Sequence, residues 1–530
     1  MKKAIRDLFR FDQPYRQFEL LETEPKRTPS FFARRKPKKT EPGTIEGTVD
    51  RDLKTNRKRL FTLFRGADNP DLILRSFLIG GRVKALAVCI NGMADAKQIG
   101  AFILRPAYRA NVDGIPEKAL PVFLKERVLS MQEAELCADW ATVVCAITEG
   151  RTAVLIDGAK EAVLADTRGF VSRPVGEPQN EMTILGPKEA FTENLRTNVT
   201  LLRRILKRPD FVCRFRDAGG TNRTKLVIAY LDGTVNPSLL QELERRLDAI
   251  ATNEPMTVGR VEQLIEEYTY LPMPQMLKTE RPDRAAAAVL DGRIALLVEG
   301  CPLAGVLPIT LGTLMESGED ADMRQPVGTI VRLIRMTGAL LSTYLPAYFL
   351  ALALHHPGQL SSEILETVIS SRSMVFLPLP VEMIFLLLVF QLVREAGLRV
   401  PGAVGHAIGI IGGLLLGQAA VSANIVSTVV LIIVALTGLG NFAVPDYSAQ
   451  VAIAYYRVAL CIAASFGGLL GIAVTGLSTT AVLASLKSFG VPFLTPFAPV
   501  AAHREHLFWR ERIRNRGGAS DWTNPDRRRA

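Results

Sequence analysis

The chain has 530 residues, 48% of them hydrophobic and 22% charged, with a mean hydropathy of +0.17 and a formal net charge of +11. Charges crowd the first 290 residues and the last 30 and almost vanish between them, which excludes a uniformly water-soluble protein and implies two solvents. The basic residues lie mostly in tails flanking the apolar stretch, which points to anionic lipid headgroups rather than nucleic acid.

The N-terminus (MKKAIRDLFRFDQ) starts positive but has no apolar run after it, so no cleaved secretory signal is expected and the soluble part is expected in the cytosol. Residues 1–59 are rich in Lys, Arg and Pro, with too few large apolar side chains to offset ordering entropy, and read as a disordered basic arm. The six cysteines (Cys89, Cys137, Cys145, Cys213, Cys301 and Cys461) show no CxxC pair and no histidine at ligand spacing, so they read as reduced core thiols.

Residues 60–185 read as a first mixed α/β subdomain. VKALAVCIN, TVVCAITEG and RTAVLIDG are Val- and Ile-rich runs expected as strands, the last two joined by a hairpin at Glu149-Gly150. LPVFLKERVLSMQEAELCADWA has helical period. Residues 186–278 read as a second α/β subdomain, with helices at 188–207 and 237–250 around strands VCRFRD and TKLVIAYLDG. No GxGxxG, GxxxxGK[ST] or GxSxG occurs here, Asp232-Gly233 reads as a turn, and no cofactor or metal is implied.

From 294 to 502 the pattern is that of an all-α polytopic transmembrane domain. Between Met336 and Leu354 no Asp, Glu, Lys or Arg occurs, just enough helix at about 1.5 Å per residue to cross roughly 30 Å of hydrocarbon. Segment 374–393 carries only Glu382, 400–445 has room for two spans, and 451–477 is interrupted by Arg457. Segment 479–502, broken by Pro492, Pro496 and Pro499, reads as interfacial or re-entrant; 294–315, with Glu299, Pro302 and Pro308, reads as a broken span or a re-entrant element. About five spans are expected, with four and six as neighbours. Placing Arg281, Arg284 and Arg293 on the same side as the tail 503–530 requires an even number.

The runs TERPDRAAAAVLDGRIALLVEGCP (279–302), REAGLRVPGAVGHAIGIIGGLLLGQAAVSANIVS (394–427) and SFGVPFLTPFAP (488–499), with the soluble stretch 157–205, resemble the A subunits of the GerA family of spore germination receptors. The resemblance covers roughly 60–510 in order. It implies a protein of the inner membrane of a bacterial spore that works beside a transporter-like B subunit, which binds nutrient, and a lipoprotein C subunit. It also implies a homo-oligomer around a path for monovalent cations, with no catalysis. Where the family usually carries further carboxylates after the position of Glu382, this chain has Leu387 and Gln391.

Glu382, an acid in an apolar span, is expected to face a polar cavity or a partner; the alternatives are a place near the span's end, or a protonated carboxyl hydrogen-bonded to a neighbouring helix, without touching an ion. Gln391, Gln418, Asn424 and Asn441 are further candidates to line a cation path, or to bond helices together. Gly405, Gly409, Gly413 and Gly417 recur every four residues and are expected to let another helix approach closely. Arg281, Pro282 and Asp283, within a linker at 279–293, are expected as a hinge that couples the soluble region to the membrane, the alternative being a linker with a surface ion pair.

Overall fold

The structure, a computed structural model, describes residues 47–131, 133–169, 178, 181, 186–399, 417–495 and 497–498. Helix α1 (Leu53–Leu63) opens it, capped by Asp52, whose carboxylate accepts from the amides of Lys54 and Thr55. Leu60 and the following Phe64 are buried, so order begins before the expected limit of the basic arm at 59: the charges of this segment sit on the outer face of an amphipathic helix.

The first α/β unit is a five-stranded antiparallel sheet in the order β1-β2-β4-β5-β3. Its strands are β1 (Leu72–Ile79), β2 (Val83–Ile90), β3 (Ala134–Cys137), β4 (Thr152–Ile156) and β5 (Ala162–Ala165). One face packs on α1 and on α2 (Trp140–Thr148), the other on helical turns over 96–109 and 117–128. Helix α2 corrects the expectation of a strand and hairpin at TVVCAITEG. Asp139 caps it, accepting from Thr142 N, and the buried Trp140, Val143, Val144 and Ile147 follow the i, i+3, i+4, i+7 spacing of a helix face, which outweighs the β-branched composition. Cys145 lies on the exposed face of α2, so it is not a core thiol.

The second unit repeats the first. Helix α3 (Leu195–Ile205), strands β6 (Phe211–Ala218) and β7 (Thr224–Leu231), helices α4 (Pro237–Asp248) and α5 (Val258–Ile265), strand β8 (Leu277–Thr279), helix α6 (Pro282–Leu290) and strands β9 (Ile294–Val298) and β10 (Ala304–Leu307) follow in chain order. The sheet order β6-β7-β9-β10-β8 is that of the first unit, strand for strand. Trp140–Thr148 corresponds to Pro282–Leu290, Thr152–Ile156 to Ile294–Val298 and Ala162–Ala165 to Ala304–Leu307, at one constant offset with no insertion or deletion. The turns match too: Gly150 and Gly292 have φ of +93° and +87°, and Gly158 and Gly300 have +82° and +78°. Between the units, buried Arg203 pairs with Asp71 at 2.5 Å and bonds Asn69 at 2.9 Å.

This repeat corrects the start of the membrane domain. The run 294–315 is neither a broken span nor re-entrant: it contains β9, β10 and a short helix, Leu311–Met315. Both strands are buried on both faces, so they read as continuous apolar sequence, which is also what a span looks like.

The helical region begins with α7 (Gln325–His355) and continues through α8 (Ser362–Arg372), α9 (Leu379–Arg399), α10 (Thr428–Phe442) and α11 (Tyr447–Ser485). By length and composition α7 and α11 are apolar enough to cross a membrane. Gly468, with φ +54° and ψ −136°, splits α11 into two limbs. The first limb runs parallel to α7, with Arg457 bonded to Ser342 and Ser465 to His355. The second returns: Gly468 packs on His355 and Gly476 lies near Tyr344. Ala449 from the start of the first limb and Leu486 after the second share one core with Val289 and Leu297 of the second α/β unit.

After α11 the chain makes a small hairpin, β11 (Lys487–Ser488) and β12 (Val491–Pro492), seated on the second α/β unit. Phe489, Val491 and Phe493 are fully buried, Ser488 Oγ donates to Gln275 O at 2.8 Å and accepts from Ile309 N at 3.0 Å, and Leu311 N donates to Phe493 O at 2.9 Å. The expected interfacial or re-entrant segment is therefore, over 487–495, part of the α/β core, because its aromatic residues fill a gap in that core.

Candidate functional site

The polar chemistry of the molecule gathers at three levels, from the α/β junction to the far end of the bundle. At the junction, the residues expected as a hinge are built into the second α/β unit. Arg281 is 1% exposed, precedes α6 and donates from Nε and Nη2 to Asp283 at 3.1 and 2.6 Å. Pro282 is the first helical residue, where its missing N–H costs nothing. Arg284 reaches Glu181 at 2.9 Å and the carbonyls of Thr313 and Glu316 at 3.3 and 2.7 Å, while Arg293 bonds Thr313 Oγ1 at 2.8 Å. These bonds hold the connection to α7. Since Arg281 and Arg293 are enclosed in a folded unit, they are not loop charges free to meet headgroups.

Asp320, 2% exposed, completes the junction. It receives a two-pronged contact from Arg335 of α7 at 2.9 and 3.1 Å and lies 3.3 Å from Arg332, which also pairs with Glu316 at 2.9 Å. Arg335 donates in addition to Met315 O at 2.9 Å. On the opposite edge, Tyr268 donates to Ser485 O at 3.0 Å, and Glu267 accepts from Arg246 at 3.0 Å and from Gly490 N of the hairpin at 3.1 Å. Burial raises the pKa of Glu267 above the ordinary carboxyl range, and burial beside Glu262 pushes neighbouring Glu266 up to about 8.

In mid-bundle, Arg457 is 3% exposed and is satisfied by neutral groups: Ser342 O at 2.5 Å, Ser342 Oγ, and Asn441 Oδ1 at 3.1 Å. Asn441 is thus a bond between α10, α7 and α11. Next to it the backbones of α7 and α10 nearly touch, since a Cβ on Gly440 would lie 2.4 Å from Gly338 O. This is the close approach that glycines allow, at positions the sequence had not singled out. Of the expected glycine stripe, Gly417 packs loosely near Leu431, and Gly405, Gly409 and Gly413 lie outside the described residues.

At the far end, Glu382 is completely buried in the first turn of α9. Its Oε1 accepts from Ser427 N and Oγ at 2.6 and 2.7 Å, clamping the N-terminus of α10, and its Oε2 lies 3.4 Å from Arg372 Nε without a hydrogen bond. A carboxylate at a helix N-terminus is favourably placed against the helix dipole. Leu387 is buried in the apolar core of the bundle, Gln391 is half-buried, and Gln418 and Asn424 are exposed, so the expected polar residues do not converge on one path within a single copy. Sequence reasoning missed Asp320, Arg335 and the Phe489–Phe493 hairpin. The signal available for the first two was an arginine pair one helical turn apart following a compact acidic run, Glu316 to Asp322.

Compared with known proteins, residues 59–517 match the family described as Bacillus/Clostridium GerA spore germination protein. The chain is 31% identical to the Bacillus cereus spore germination protein GerLA, over 86% of this chain and 91% of that one. It is 32% identical to the Bacillus subtilis membrane protein YfkQ, over 86% and 88%, and 31% identical to spore germination protein B1 of the same organism, over 84% and 92%. Among solved structures, the N-terminal domain of the A subunit of the Bacillus megaterium germinant receptor GerK3 aligns at 25% identity, over 49% of this chain and 96% of that domain, with a TM-score of 0.40. On the match over most of its length, the chain belongs to the GerA family of spore germination proteins.

Proposed function

We propose that the chain is the membrane A subunit of a germinant receptor, several copies of which surround a path for monovalent cations that opens when a partner B subunit binds nutrient. In this reading a lipoprotein C subunit completes the receptor, the chain acts in the spore's inner membrane, and the α/β units stay in the cytosol. The observation that carries it is that the helical region leaves and re-enters the same α/β unit: Arg335 of α7 is held by Asp320, and α11 ends in the hairpin seated on that unit. A chain anchored at both ends on one side crosses an even number of times. Helix α7, helix α9, the two spans that the sequence has room for between 400 and 445, and the two limbs of α11 would give six, which meets that parity.

Outward-facing Ile330, Ile334, Leu340, Phe466, Leu470 and Leu477 suit lipid, while Glu382 and Arg457 face inward. A switch passing through Asp320, α7 and the hairpin would carry movement between the α/β half and the bundle. The test is reconstitution of the full chain with its B and C partners in liposomes: nutrient-dependent K⁺ or Na⁺ flux that falls in Glu382→Gln supports the reading. Absence of flux with all three subunits present overturns it.

Glu382 itself favours a second reading, a non-conducting scaffold in the germination complex, because its carboxylate is occupied in clamping Ser427. Flux unchanged by Glu382→Gln, with the complex less stable, would select that role. A stand-alone secondary transporter would need inverted repeats; the repeat in this chain lies in the α/β half.

A further inference from the structure

Arg394, near the end of α9, is 8% exposed and contacts two groups: Gln450 Oε1, reached by Nη1 at 3.4 Å, and the ring of Tyr447, 5.5 Å from its guanidinium carbon. Its Nε and Nη2 are buried and make no hydrogen bond. Those two nitrogens form one edge of the guanidinium, the edge that grips an oxyanion with two parallel bonds.

No carboxylate answers it. Arg394 forms no ion pair among the described residues, and Asp446, which caps α11 nearby, gives its carboxylate to Ala449 N at 2.8 Å. Gln450 is fixed as a wall rather than a competitor, since its own amide donates to Val444 O at 2.7 Å. A buried cation with an open edge is unfavourable unless an anion supplies the missing bonds.

The place gives the anion's identity. Arg394 lies at the end of the bundle nearest the α/β half, level with the first turn of α11, whose Ala449 is in the core shared with the second unit, and Tyr447, which covers it, is 50% exposed. The buried guanidinium edge therefore lies close beneath the outer surface of the bundle, behind the ring of Tyr447. We infer that Arg394, with Gln450 and Tyr447, forms a phosphate-accepting site at the base of the bundle, filled by the headgroup of an anionic phospholipid or by free phosphate. The inference rests on the membrane reading above, which alkaline extraction of membranes from cells making the full chain tests separately.

The experiment is thermal unfolding and native mass spectrometry of the full chain in neutral detergent, with phosphatidylglycerol, phosphatidylcholine or inorganic phosphate added. Phosphatidylglycerol is expected to raise Tm and remain bound, with retention at least about tenfold weaker in Arg394→Gln and intermediate in Arg394→Lys, which keeps the charge but loses the fork. If inorganic phosphate raises Tm and displaces the lipid, the site stands with free phosphate as its occupant. Should Arg394→Gln fail to fold, Gln450→Leu, which removes the polar wall, is expected to weaken retention in the same direction. Equal retention in wild type and variants, or a change of oligomeric state in Arg394→Gln with no phosphate effect, overturns the site; the latter outcome would hand Arg394 to a carboxylate of a second copy.

Discussion

The two α/β units share one plan, and an instructive difference between them lies at the N-terminus of one pair of corresponding helices. In the first unit Asp139 caps α2 through Thr142, a local arrangement that ends within the unit. In the second the corresponding residue is Arg281, which makes no capping bond, and Thr142 is matched by Arg284, whose guanidinium holds the carbonyls of Thr313 and Glu316. The duplicated fold was thus re-used: one copy kept a self-contained helix, and the other gave up its cap for bonds to the segment entering the bundle. The difference makes the second copy the one bonded to the segment that enters the bundle.

The largest effect expected is from Phe489→Ala. Removing a fully buried aromatic side chain costs about 3–5 kcal/mol, and amide exchange should rise through the second unit while the first stays protected. Equal loosening of both would break the distinction. Next, Asp320→Asn leaves Arg332 and Arg335 without their shared carboxylate, a cost of about 3 kcal/mol, and germination on nutrient should fall further than the amount of protein on an immunoblot.

A smaller effect concerns pH. Glu266, raised to about 8 by burial and Glu262, binds its proton more tightly folded than unfolded, so the second unit loses stability as pH climbs from the ordinary carboxyl range through about 8. Glu266→Gln should flatten that slope in unfolding curves from pH 6 to pH 9; an unchanged slope would assign it elsewhere. The smallest effect is expected from Asp139→Ala, which removes the cap of the first unit: a slight drop in stability and no change in germination.

Much of this architecture was readable from the residues. The helix at 237–250, the strands around VCRFRD and TKLVIAYLDG, the apolar core of α7 and the lone acid of segment 374–393 all follow from period and composition. The repeat was also present in the residues, GRTAVLIDG at 150–158 against GRIALLVEG at 292–300 with the glycines at one spacing, but reading the first run as a hairpin strand and the second as a membrane segment passes over it. The boundary at 294 failed because a doubly covered strand and a lipid-facing segment obey the same rule of apolarity. The site pairings could not be read at all: Ser342 with Arg457, or Glu382 with Ser427, meet only after the chain has turned back several times.

The reversal at Gly468 has a mechanical corollary. Because α7 starts, and the returning limb of α11 ends, on one α/β unit, a tilt of that unit would drive both in the same sense, as a yoke does, and would carry α9 and α10 with them. An input on the α/β side would therefore reach the opposite face of the bundle as a rotation of the whole frame, with the glycine elbow as the point farthest from the hub.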